Sequence, residues 1–137
     1  MKNEFRTWQD SAGRLITEAA RTFGETAEVH ELRGILLARN YLRNNAVDPE
    51  QAIEELKLGS AADNPGRAHA LNALNNLLFA LGRSRESYDA AKEAYRADAF
   101  LTATDTILIR LFGTSLDLGQ AAEARSWCQE LHRRFPG

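Results

Sequence analysis

The chain has 137 residues, of which 44% are hydrophobic and 26% charged, and a formal net charge of −2. Those values suit one folded domain and exclude the low-hydrophobicity, high-charge pattern of a disordered chain, and the slight negative charge removes the basic balance on which non-specific nucleic-acid binding rests. No apolar run approaches the roughly 20 residues that span a bilayer, no apolar signal core follows Met1, and the single Cys128 leaves no internal disulfide, so a soluble, cytoplasmic chain without membrane insertion is expected.

Apolar residues recur three and four apart between widely spaced glycines and prolines, which predicts seven helices and no strand. The first covers about 3–23, with Phe5, Trp8, Leu15, Ile16, Ala19 and Phe23 on one stripe and Gly24 as its stop. The second begins near Thr26, carries Val29, Leu32, Ile35, Ala38 and Leu42, and fades at Asn44 and Asn45. The third has the clearest start: Asp48 as N-cap, Pro49 at the first helical position and Gln51 completing a capping box, with its end expected before Asn64.

The fourth helix is expected over about 65–81, closed by Gly82, and the fifth over about 84–97. The sixth is expected to follow Thr102, whose hydroxyl would cap it with Asp105 three residues on, and to stop near Asp117. The seventh runs over about 120–134, with His132, Arg133 and Arg134 at its negative end. Connections of a few residues make consecutive helices antiparallel neighbours. Small residues then recur in the second helices of successive pairs at Ala52, Ser87 and Ala124, spaced 35 and 37 apart.

A large-and-small pattern runs through these pairs. It reads Leu71, Leu74, Asn75 and Leu78, then Gly82, Ser87, Ala91 and Ala94; next Leu108, Leu111, Phe112 and Ser115, then Gly119, Ala124, Cys128, Leu131 and Pro136; and earliest Ile35, Ala38, Arg39 and Leu42, then Ala52, Leu56 and Pro65. This pattern resembles the tetratricopeptide repeat, whose period is about 34 residues, although the family's tryptophan and tyrosine columns hold aliphatic or small residues here. The resemblance implies an all-α, right-handed solenoid of helical hairpins. Residues 1–25 would form an extra helix, and residues 26–137 three hairpins at about 26–64, 65–101 and 102–137.

In such repeats the first helix of each pair lines a concave groove that grips a peptide or helix. By that resemblance the groove would comprise Arg33, Leu36, Asn40 and Arg43, then His69, Asn72, Asn76 and Phe79, then Thr106, Ile109, Arg110 and Gly113. Asn72 and Asn76 share a helical face, where their amides could hold a peptide backbone, and Arg110 could fork onto a carboxylate. The arrangement partly resembles the family's carboxylate clamp, but the clamp's lysines are missing from the matching columns.

Catalytic chemistry has little to stand on. His30, His69 and His132 lie on different helices without ligand-spaced partners, so no metal or other cofactor is expected. Phosphate loops, nucleophile elbows and metalloprotease motifs are absent, and Cys128 is expected as a buried packing thiol. The expected function is a non-catalytic scaffold for a protein or peptide partner, the alternative being a sensory or regulatory segment of a larger signalling or transcription-regulating protein. Trp127 and Phe135 have no evident cover, which makes the C-terminal end a candidate surface for docking on further chain or a second copy.

Overall fold

The computed structural model describes residues 2–44 and 47–137, with side chains from residue 10 onward. It contains seven helices among the described residues and no strand: α1 (Lys2–Phe23), α2 (Ala27–Asn44), α3 (Pro49–Gly59), α4 (Arg67–Ala80), α5 (Ser84–Ala97), α6 (Thr104–Asp117) and α7 (Ala121–Arg134). None of them is long and apolar enough to cross a membrane. Contacts divide the chain into two compact units, Met1–Ala70 and Leu71–Gly137, with the boundary inside α4.

In the first unit, α2 packs on both α1 and α3. Helix α1 ends at Gly24, whose φ of +86° is the left-handed conformation glycine adopts without a Cβ penalty. Thr26 Oγ1 accepts the Val29 N–H at 3.3 Å to open α2. Asp48 caps α3 as expected, but its carboxylate takes the Glu50 N–H at 3.0 Å, while the Gln51 N–H goes to the Asp48 carbonyl at 3.2 Å, so Gln51 does not receive the side-chain bond of a capping box. The core here is Val29 and Ala38 with Ala52, Ile53 and Leu56, all at most 4% exposed.

The α2 and α3 backbones approach closely at two glycines. A Cβ built on Gly59 would lie 2.6 Å from the backbone N and Cα of Glu31, and one on Gly34 would lie 2.9 Å from the Leu56 backbone N. An ion-pair cluster closes the same edge: Arg33 forks onto Glu25 at 2.8 and 3.1 Å and reaches Glu55 at 3.3 Å, and His30 Nδ1 lies 2.7 Å from Glu55. The Arg33 bond holds the Glu25 carboxyl below its ordinary range.

Several boundaries and faces differ from those expected. Helix α3 does end before Asn64 as expected, at Gly59, where Ser60 turns the chain, and Asn64 is buried, with its amide donating to the Gly59 carbonyl at 2.7 Å and to Glu31 at 2.9 Å. The Asn64 side-chain oxygen takes the Gly66 N–H at 3.1 Å, which delays α4 to Arg67. Leu15 and Phe23, expected on the buried stripe, are 67% and 75% exposed, and Leu32 and Leu42 are 51% and 49% exposed. Close glycine contact turns the Val29, Gly34 and Ala38 side of α2 inward, leaving Leu32 and Leu42 outside. Phe5 and Trp8, placed on the α1 stripe, lie outside the described side chains, as Asn45 lies outside the described residues.

The second unit is more regular. Each boundary of α4 and α5 recurs 37 residues later in α6 and α7: 67 to 104, 80 to 117, 84 to 121 and 97 to 134. Both first helices end in the same motif. Gly82, at φ +75°, donates to the Phe79 carbonyl while Arg83 donates to Leu78, both at 3.0 Å; Gly119, at φ +72°, donates to Leu116 at 3.0 Å while Gln120 donates to Ser115 at 2.8 Å. This paired capping satisfies the orphan carbonyls and turns the chain back sharply.

The small residues Ala52, Ser87 and Ala124 are each at most 2% exposed, as an interhelical seam requires. Ser87 also bonds to Asn75, its hydroxyl 2.8 Å from the Asn75 side-chain oxygen, so the one buried amide of α4 in this unit is satisfied across to α5. Helix α6 starts at Thr104 without the Thr102 cap: Ala103 is the N-cap residue and makes no side-chain bond, and the Asp105 carboxylate takes the Thr106 N–H at 2.8 Å. Cys128, expected in the seam, is exposed, because only Ala124 of α7 is buried.

Candidate functional site

Helices α4 and α6 place three of the expected groove residues in contact. Arg110, on α6, donates from Nη1 to the Asn76 side-chain oxygen at 2.8 Å, and its guanidinium carbon stands 4.1 Å from the centre of the Phe79 ring. That distance is close enough for stacking with a cation–π contribution. Beside them opens a cavity of about 290 Å³, walled by Phe79 of α4 and by Ile109, Arg110, Gly113 and Asp117 of α6. Phe79 is 46% and Ile109 56% exposed, so the mouth is apolar.

The electrostatics of this site are one-sided. Burial pushes the Arg110 guanidinium below its ordinary pKa, the mark of a cation losing solvation without full repayment. Among the described residues no carboxylate pairs with it. A guanidinium carries five N–H donors, and the Asn76 bond engages one nitrogen.

Gly113 sits in the middle of α6 on the cavity wall. It lies outside the positive-φ glycines, and a Cβ built on it would meet nothing within 4 Å. A glycine at an interior helix position costs about 1 kcal/mol relative to alanine. The next two residues, Thr114 and Ser115, are small and buried, and each hydroxyl bonds back one turn, to Arg110 and Leu111, at 2.6 Å.

Comparison with family models, curated proteins and solved structures finds no match. The chemistry of the site is therefore read from its own residues.

The other expected site residues have surroundings of their own within each unit. Asn72 is half-buried and accepts a long, 3.5 Å bond from the Asn75 amide, one turn from the Arg110 contact. Asn40 and His69 belong to the first unit. Asn40 lines a cavity of about 730 Å³ with Leu36 and with Gly13, Arg14, Thr17 and Arg21 of α1, and His69 is exposed. Arg33 is committed to Glu25 and Glu55. Among the described residues no group of three histidine, cysteine or carboxylate side chains is placed to hold a metal ion.

Trp127 does have cover within the chain. Its indole N–H donates to the Tyr88 hydroxyl at 2.9 Å, and its ring meets Tyr95 edge-on, with centroids 5.9 Å apart at 84°. Tyr88 also donates to Glu123, and Tyr95 donates to Glu130 at 2.5 Å. Phe135 remains 44% exposed beneath the Arg134 guanidinium, 5.7 Å from its ring centre. The missed signal was a pair of seven-residue spacings, Tyr88 to Tyr95 on α5 and Glu123 to Glu130 on α7, which put tyrosines and carboxylates on facing helix stripes.

Glu130 supplies a pH-dependent term. Arg133, bonded at 2.6 and 3.0 Å, and then the Tyr95 hydroxyl hold its carboxyl at a pKa of about 2, against an ordinary 4.5. A depressed carboxyl pKa stabilises the fold above the ordinary value, and that stability is lost as pH falls through the folded value. Wild-type protein is therefore expected to lose thermal stability between pH 4.5 and 2 more steeply than Glu130→Gln. Melting curves over that window, with an NMR titration of the Glu130 carboxyl, check it; a carboxyl that titrates near 4.5 contradicts the geometry.

Proposed function

We propose that the chain is a non-catalytic, tetratricopeptide-like helical-hairpin scaffold of the cytoplasm, and that it binds a peptide segment of a partner protein on the α4 and α6 face of its second unit. The observation that carries this reading is Arg110, part-buried, without a carboxylate partner among the described residues, and stacked on a half-exposed Phe79. A part-buried cation that the protein engages through one side-chain hydrogen bond has donors left to offer a bound acceptor. The repeated 14-residue helix pairs support a hairpin-repeat framework.

The test compares immobilised wild-type protein with an Asn76→Ala/Arg110→Ala double variant as baits for interacting proteins. A partner held by the wild type and bound at least about tenfold more weakly by the double variant is the expected result, in line with the cost of removing a desolvated interfacial charge. Equal retention by both baits, or no partner for the wild type, overturns the reading.

A further inference from the structure

We infer that Gly113 is a specificity-determining position at which the main chain of a bound peptide lies against the backbone of α6, with a peptide carboxylate toward Arg110 and the adjoining apolar side chain between Phe79 and Ile109. The inference rests on the scaffold reading above and deepens it.

Gly113 is unlike the glycines the fold explains. Gly24, Gly82 and Gly119 have left-handed φ angles that disfavour a Cβ. Gly34 and Gly59 lie where another helix leaves no room for one. At Gly113 the backbone does not call for glycine and the space around it is open, so the fold would be more stable with alanine there. Gly13 of α1 shares these two features; what sets Gly113 apart is that its bare backbone walls a cavity beside Arg110 and two exposed apolar side chains, where something outside the fold can approach closely.

The surroundings say what approaches. Gly113 lowers the α6 surface between Ile109 and Asp117, and the cavity it walls, about 290 Å³, is of the size for a single anchoring side chain rather than a cofactor. Ile109 and Phe79 make the anchor apolar. The helix amides are already used within α6, so the peptide main chain would meet Gly113 through van der Waals and weak Cα–H contacts, which need a bare backbone. Charge sets the polarity. Arg110 and Asp117 lie seven residues apart, about 10 Å along the axis, so a carboxylate is drawn to the Arg110 end and repelled from the other.

The test uses acetyl-Asp-Leu-amide as probe and follows the Gly113 amide by NMR in the full chain. The expected result is a saturable shift with a Kd of about 1 mM, fitting so few atoms, and affinity at least about fivefold weaker for acetyl-Asn-Leu-amide. Gly113→Ala should raise Tm by roughly 3 °C, since alanine favours the helix, while weakening the probe at least about fivefold through the added methyl. Gly113→Ala that is more stable and binds as wild type overturns the role of this position, as does the absence of a saturable shift. Neither result touches the scaffold reading if the partner test above still separates wild type from the double variant.

Discussion

Gly59→Ala is expected to destabilise the first unit by about 3 kcal/mol, the upper end of the range for overpacking a well-packed core. The reason is what the new methyl would strike. Its Cβ would sit 2.6 Å from both the backbone N and Cα of Glu31, and a helix backbone cannot swing aside as a side chain can. Relief requires α3 to move away from α2, which loosens the contacts of Ala52, Ile53 and Leu56, all at most 2% exposed. It would also disturb Asn64, whose buried amide donates to the Gly59 carbonyl and to the Glu31 carboxylate. Urea denaturation with a readout confined to residues 27–59 checks this. A loss under about 0.5 kcal/mol, the scale of an ordinary surface change, would show that the two backbones are not in contact at Gly59.

That prediction also shows where sequence reasoning stopped. Gly24 and Gly82 were legible as helix stops because each follows a periodic apolar segment and the residues beyond it restart a helix, and both have positive φ. Ala52, Ser87 and Ala124 were legible for a related reason: a recurring small residue inside a helical pattern has few uses other than a tight seam. Gly34 and Gly59 carry no such local mark. Their role comes from how far α2 and α3 approach each other, a tertiary quantity.

The misread faces have the same origin. Periodicity defines a stripe but not how much of it a neighbouring helix covers, so Leu15 and Phe23 looked buried on α1 and Leu32 and Leu42 on α2. In the site, helical spacing alone grouped Asn72 with Asn76, yet Asn76 takes Arg110 because α6 passes beside that turn of α4. Asn75, between them, is the buried amide, held by Ser87. Adjacent identical residue types are thus divided among different tasks by which neighbour faces each one. A single sequence carries the period and not the neighbour.

Tyr88→Ala is expected to cost about 3 to 5 kcal/mol, as for other large buried aromatics. Its side chain is wholly buried on α5, and its hydroxyl is the junction between α5 and α7: it donates to Glu123 and accepts the Trp127 indole N–H. Tyr88→Phe separates the two contributions, because it keeps the ring and removes the junction. The expected loss is then about 1 kcal/mol, the net worth of a hydrogen bond whose orphaned partners water can reach. Trp127 is half-buried, so its fluorescence should shift as solvent replaces the hydroxyl.

Alkaline titration adds a signature specific to the hydroxyl. Burial, and then the bond to the Glu123 carboxylate, push the Tyr88 pKa above its ordinary value of 10.0. A raised acid pKa means the folded state holds the proton more tightly than the unfolded one, so its contribution is whole below pH 10.0 and is lost as pH rises through the folded value. Wild-type protein should therefore lose stability more steeply above pH 10.0 than Tyr88→Phe. If Tyr88→Ala costs no more than Tyr88→Phe, the ring does not fill the core as described; if the two proteins share one alkaline profile, the hydroxyl is not the junction between α5 and α7.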